Sequence, residues 1–228
     1  MGDTWIPPNG KLYTVPEIHQ VFSDRRVLII GDSLARRLTA TLATVLAIES
    51  NADLLDSDID NKSTLGYGGH GSAEYNQGRL RFQWAPFARD VANLGHRDDL
   101  ARFSTVVVAL GVHDAEEPNP NVMRDFKSAL AALEASSPPE IVWRTAPFMD
   151  SNNQKRTHEV NGRVTSFNAL VSAQPGRVRV LDVGRVLQAK STGKERLRGD
   201  TPQHFGNIAR MVEIQIITHA LQCWDVSN

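Results

Sequence analysis

The feature that most constrains this chain is a fourfold alternation between short apolar runs and amphipathic stretches of helical period. Val27-Leu28-Ile29-Ile30 is a continuous apolar run, the pattern of a parallel strand buried on both faces. Apolar residues then recur at Leu34, Leu38, Leu42, Val45 and Leu46, a helical spacing that runs to about Glu49. The unit repeats as a strand from Thr105 to Leu110 with a helix carrying Val122, Phe126, Leu130 and Leu133. It repeats again as Ile141-Val142-Trp143 with a helix carrying Val160, Val164, Phe167 and Val171. A last strand from Val178 to Val183 precedes a helix with Ile208, Val212, Ile216 and Ala220. Strands alternating with helices that each have one apolar face predict an α/β fold, a three-layer α/β/α sandwich with a mostly parallel central sheet.

The chain has 228 residues, enough for one domain with a substantial core. Residues 1–24, with Pro7, Pro8 and Pro16, read as an irregular N-terminal arm, and residues 25–228 as a single domain. Within it, about 51–100 is polar and glycine-rich and reads as a loop-rich insertion carrying one short strand. A net charge of −1 lacks the basic excess of a nucleic-acid binder, and no run approaches the roughly 18 apolar residues of a membrane span. The single cysteine, Cys223, excludes an intrachain disulfide and any multi-thiolate metal site. No basic segment followed by an apolar one opens the chain, so a secretory leader is not visible and the expected location is cytoplasmic unless the chain has been trimmed. The spacing of His70, His96 and His158 fits no metal motif, and neither a metal nor an organic cofactor is expected. Gly66-Tyr67-Gly68-Gly69-His70-Gly71 matches the dinucleotide pattern G-x-G-x-x-G, but no apolar strand precedes it and no amphipathic helix follows.

Gly31-Asp32-Ser33-Leu34 lies where the first strand ends and the first helix begins. Ligands of open parallel sheets bind outside the carboxyl ends of the strands. A serine there combines access with the donors of a helix N-terminus, the two things an acyl-transferring nucleophile needs. The plainer role for Ser33 or Asp32 is to cap the helix. A serine nucleophile requires a base, and the base an orienting carboxylate. His204 and Asp200 share the loop Gly199-Asp200-Thr201-Pro202-Gln203-His204-Phe205-Gly206, just before the last helix. Asp182, at the end of the fourth strand, is the rival carboxylate, with capping of that strand's exit as its plainer role.

These motifs, in this order, resemble the GDSL/SGNH hydrolases, whose nucleophile block is Gly-Asp-Ser and whose last block is Asp-x-x-His. Ser33 matches the first block and His204 the last, while Asp200 lies four residues before the histidine instead of three. Arg81-Phe82-Gln83-Trp84-Ala85-Pro86-Phe87, Ile141-Val142-Trp143-Arg144-Thr145-Ala146-Pro147 and the strand ending in Gly111-Val112-His113-Asp114 are similar to segments of the PC-esterase branch. That branch is related to plant trichome-birefringence-like and fungal capsule O-acetylation proteins; its cysteine-flanked plant last block is absent here.

The resemblance implies a fold, a triad and an oxyanion hole made of the Ser33 N–H, a second-block glycine N–H and a third donor. Gly69, with Gly71 as second choice, stands for the glycine, and His113 stands where the family has Asn. A neutral imidazole can donate one N–H, so His113 is expected in the oxyanion hole, with substrate binding or pairing to Asp114 as alternatives. Asp32, Gly71, Asp114 and Arg144 complete the expected site as substrate-contacting residues. Trp84 and Trp143 either stack on a sugar or pack in the core, and Arg36-Arg37 read as a solvated face. The implied activity is a carbohydrate O-acetylesterase working through an acyl-enzyme on a small-molecule or glycan ester. An O-acetyltransferase with the same triad and a non-catalytic carbohydrate-binding module on the same fold are the alternatives. A secretory-pathway location is implied for a longer chain, and the oligomeric state is left open.

Overall fold

The computed structural model describes residues 11–47, 72–75, 79–94, 100–117, 119–136, 140–148, 154–173, 176–190 and 207–225. The four strands predicted from apolar runs form β1 (Val27–Gly31), β4 (Thr105–Ala109), β5 (Glu140–Arg144) and β6 (Val178–Leu181). Two further strands, β2 (Ser72–Tyr75) and β3 (Leu80–Trp84), complete a six-stranded sheet in the order β2-β3-β1-β4-β5-β6. Among the described residues only the β2–β3 pair is antiparallel. Helix α1 spans Val15–Phe22, α2 Ser33–Ala47, α3 Ala88–Leu94, α4 Val112–Glu116 and α5 Val122–Ala135. The remaining helices are α6 (Gln154–Ser172), α7 (Val183–Lys190) and α8 (Asn207–Asp225).

The alternation of side chains along each strand sends them to two separate cores. Leu28, Ile30, Val108 and Trp143 pack with α3, α5 and α6, and Trp143 lies 5.8 Å from the Phe126 ring. Trp143 is therefore a core residue. Val27, Ile29, Val107 and Val142 pack on the other side with α1, α2 and α8. Both faces are covered, which gives the three predicted layers.

Two sequence expectations change. The stretch before Asp24 is not irregular throughout, because Val15–Phe22 is a helix whose Val15, Ile18 and Phe22 enter the second core. Pro16 stands in the first helical turn, where no backbone donor is required, so its presence does not break the helix. Thr14 and Glu17 close a capping box: the Thr14 N–H donates to Glu17 Oε2 at 2.8 Å and the Glu17 N–H to Thr14 Oγ1 at 3.4 Å. Within 51–100, β3 is an integral strand of the sheet and is followed by α3. Its apolar signal is weak because Leu80 and Phe82 are buried while Arg81, Gln83 and Trp84 are only half-buried.

The topology locates the functional edge. After β1 the chain builds β3 on one side, then returns to build β4 on the other. The carboxyl ends of β1 and β4 therefore flank the switch point, where open sheets bind ligands. Gly31 ends β1 so close to β4 that a Cβ would lie 1.9 Å from the Ala109 carbonyl oxygen. Gly31→Ala is predicted to cost more than about 3 kcal/mol or to prevent folding, because backbone sits where the methyl would go. Urea unfolding is the check; a variant within about 0.5 kcal/mol of the parent would contradict the packing described here.

Candidate active site

The turn after β1 is shaped by a buried carboxylate. Asp32 is 1% exposed, and its Oδ1 accepts the Leu34 N–H at 2.8 Å. The cap of α2 is thus filled by Asp32, and Ser33, half-buried, is the first helical residue at the positive end of the helix dipole. Burial pushes the Asp32 carboxyl above the usual carboxylate range, while the His113 charge, the Leu34 N–H and the Arg144 charge oppose that shift.

The Arg144 charge acts on Asp32 from two strands away, about 10 Å across the sheet. By alternation it shares a face with Val142, and on β4 its register partner is Ala109, whose small side chain leaves room there. Its Nη2 pairs with Glu213 Oε1 at 2.7 Å, with the two side chains 2% and 3% exposed. Glu213 was not among the expected site residues. Its signal was register: Ala209, Glu213, Ile217 and Leu221 recur every fourth position, and all four are buried. The pair also orients α8. Glu213 meets the carboxyl end of β5, whereas the Leu221 carbonyl accepts Arg25 Nη2 at 3.3 Å beside the start of β1. Helix α8 therefore runs against the strands and begins at the edge that carries Ser33.

The neighbouring strand β4 places its own residues at this edge. Gly111, at a φ of 120°, turns the chain into α4, where most residues would be strained. His113 then stands edge-on to two rings, with centroids 6.4 Å from Trp84 and 5.8 Å from Phe87. Asp114 does not pair with His113; it is 3% exposed and accepts the Ala88 N–H at 3.1 Å, capping α3. Arg36 does not simply face solvent, since its guanidinium lies 6.0 Å from the Trp84 ring centre. Asp32, Asp114 and Arg144 are all inside the protein, so they support the site from beneath.

Asp182 fills its plainer role. Its Oδ1 accepts the Arg185 N–H at 3.3 Å and its Oδ2 pairs with Arg185 Nε at 3.2 Å, capping α7. The loop after β5 is clamped by Asn168, which donates to the Ala146 carbonyl and accepts the Ala146 N–H, both at 2.9 Å. His204, Asp200, Gly69 and Gly71 lie outside the described residues. Among the described residues no three His, Cys, Asp or Glu side chains gather as a metal site, and no helix is long and apolar enough to cross a membrane.

No protein-family model and no curated protein sequence matches the chain. Solved structures do. A lipase/acylhydrolase from Enterococcus faecalis superposes with a TM-score of 0.50 at 16% identity, over 87% of this chain and 96% of that one. The catalytic domain of a peptidoglycan O-acetyltransferase from Streptococcus pneumoniae gives 0.52 at 18% identity, over 87% and 93%. An acetylxylan esterase from Geobacillus stearothermophilus gives 0.51 at 12% identity, over 87% and 94%. The chain shares the SGNH-hydrolase fold. At these identities the likeness is one of fold.

Asp114 generates a pH prediction. Burial raises its pKa from 3.8 to about 7, against the Ala88 N–H and the Arg89 charge. The folded chain therefore keeps a proton that the unfolded chain releases between those values. This contribution to stability is complete below about pH 4 and is lost as the pH rises through about 7. Asp114→Asn keeps an acceptor for the Ala88 N–H and cannot ionise. Relative to the parent it should gain stability as pH rises from about 4 to about 7, by up to about 1.4 kcal/mol per unit, and change little further above that. Parallel melting curves of the two proteins that never diverge with pH would contradict the assignment.

Proposed function

We propose that this chain is a serine esterase of the SGNH type, of the PC-esterase branch, that removes O-acetyl groups from carbohydrate through an acyl-enzyme on Ser33. The observation that carries this reading is the division of labour at the switch point, where Asp32 takes the cap and Ser33 opens α2. The fold shared with esterases and an O-acetyltransferase supports it.

In this mechanism His204 accepts the Ser33 proton as Oγ attacks the ester carbonyl, and Asp200 holds the other imidazole nitrogen. The start of α8 at the Ser33 edge supports this role, because three residues of chain reach at most about 10 Å back from Asn207 to His204. The tetrahedral oxyanion is held by the Ser33 N–H, the Gly69 N–H and His113, with Gly71 as the alternative glycine. His204 then protonates the leaving sugar hydroxyl, and water releases acetate by the reverse sequence. No step requires a metal or an organic cofactor.

Transfer to a second sugar hydroxyl uses the same acyl-enzyme, and the fold likeness to a peptidoglycan O-acetyltransferase favours it as the second reading. Acetate release measured with and without a glycan acceptor separates the two, since a transferase diverts the acetyl group to the acceptor. Ser33→Ala and His204→Ala are each predicted to lower ester turnover by at least about 10³-fold, up to about 10⁶-fold. Parental turnover in either folded variant would sink the mechanism, and absence of ester turnover in the parent itself would favour a binding module on this fold.

A further inference from the structure

The ion pair of Arg144 with Glu213, at 2.7 Å and with side chains 2% and 3% exposed, is the most enclosed among the described residues. A pair buried this deeply adds little net stability over apolar side chains of the same volume. Its position is more informative. Gly31, Ala109 and Arg144 stand side by side at the ends of β1, β4 and β5. They share the sheet face of Ile29, Val107 and Val142, the face that α2 and α8 cover. A Cβ on Gly31 would lie 2.8 Å from that of Ala35, so the first turn of α2 sits directly on this row. Asp32 follows Gly31 and is 1% exposed, which encloses its carboxyl at the end of the same row.

The cap of α2 works best with a charge that burial opposes. An ionised Asp32 is the stronger acceptor for the Leu34 N–H, and that hydrogen bond shapes the turn from which Ser33 enters α2. The groups that bear on Asp32 are His113 from α4, Arg144 from β5 and the N–H groups of Leu34 and Ala35 on its own helix. Arg36 lies one turn further along α2, its N–H donating to the Asp32 carbonyl, and Arg210 is buried one turn before Glu213 on α8. Of these groups, Arg144 is the one tied to a second enclosed charge. Glu213 engages its Nη2, whereas its Nε is buried without a hydrogen-bond partner among the described residues. Glu213 therefore leaves part of the guanidinium charge uncompensated.

We propose that Arg144 and Glu213 are positioning residues for the reaction at Ser33: Arg144 holds the Asp32 cap in its charged form, and Glu213 sets how much of the Arg144 charge acts on it. The inference rests on the reading of Ser33 as the nucleophile and adds to it two residues that touch neither substrate nor Ser33.

The test follows the Asp32 carboxyl by carbon NMR as pH is varied, beside kcat/KM for 4-nitrophenyl acetate over the same range. Arg144→Gln should raise the midpoint of the Asp32 titration by about one unit or more, and Glu213→Gln, which frees the Arg144 charge, should lower it. The acid limb of kcat/KM should move the same two ways, about tenfold at a fixed pH on that limb for each unit, with Arg144→Gln recovering as the pH rises. A purely structural role would instead lower turnover in both variants at every pH. Because Arg144→Gln strands the Glu213 charge, Arg144→Met combined with Glu213→Met serves as the second variant; it buries no charge of the pair and should raise the Asp32 midpoint as well. An Asp32 midpoint unmoved in the folded double variant, or a midpoint that moves while the acid limb does not, would overturn the inference and leave Ser33-dependent hydrolysis standing. Absence of any Ser33-dependent turnover in the parent would overturn both readings.

Discussion

Where β1 meets β4, one missing side chain sets the geometry of the whole edge. Because Gly31 has no Cβ, its backbone packs against the Ala109 carbonyl, and the chain can turn at once into α2. On that face Ala109, the register partner of Arg144, is small and leaves room beside the arginine, whose charge acts on Asp32. A larger residue at either position would separate the strands or block the arginine. The turn that carries Ser33, the cap beneath it and the buried charge beside it all depend on this close approach.

The charges enclosed there are costly in isolation. A buried ion pair contributes little net stability, but removing one partner leaves an uncompensated charge and costs about 3–5 kcal/mol. Arg144 and Glu213 are both almost fully enclosed, so neither tolerates loss of the other. What the pair achieves is positional. It ties the end of β5 to α8, the helix that follows His204 in the sequence, while the Arg144 charge acts on the carboxylate that caps α2. The segment proposed to carry the base and the turn that carries Ser33 are thereby referred to one buried group. At the opposite end of the sheet a second enclosed pair, Arg25 with Glu140 at 2.5 Å, joins β5 to the start of β1.

Much of the scaffold was legible because its central strands are buried on both faces and read as unbroken apolar runs. β3 was hidden because its residues alternate between buried and half-buried, and α1 because Pro16 looks like a breaker until its place in the first turn is known. At the site, the place of Ser33 at a strand–helix junction was legible, but the structural parts played by its neighbours were not. Asp32, Asp114 and Arg144 read as substrate contacts, yet their burial makes two of them helix caps and one half of an ion pair. A lone sequence cannot show which carboxylate a helix N-terminus will capture, since that depends on tertiary neighbours such as Ala88. Glu213 was overlooked because a carboxylate on an amphipathic helix is ordinarily solvated.

Ser33 is proposed to carry the acyl group between two half-reactions. Its most direct test is rapid quenching of the protein with excess activated acetyl ester, followed by mass analysis of the peptide that contains Ser33. An acyl-enzyme on Ser33 predicts a stoichiometric, transient mass increase of one acetyl group on that peptide, removed by water or by a sugar acceptor. Steady ester turnover with no acetylated Ser33 peptide at any time would contradict it.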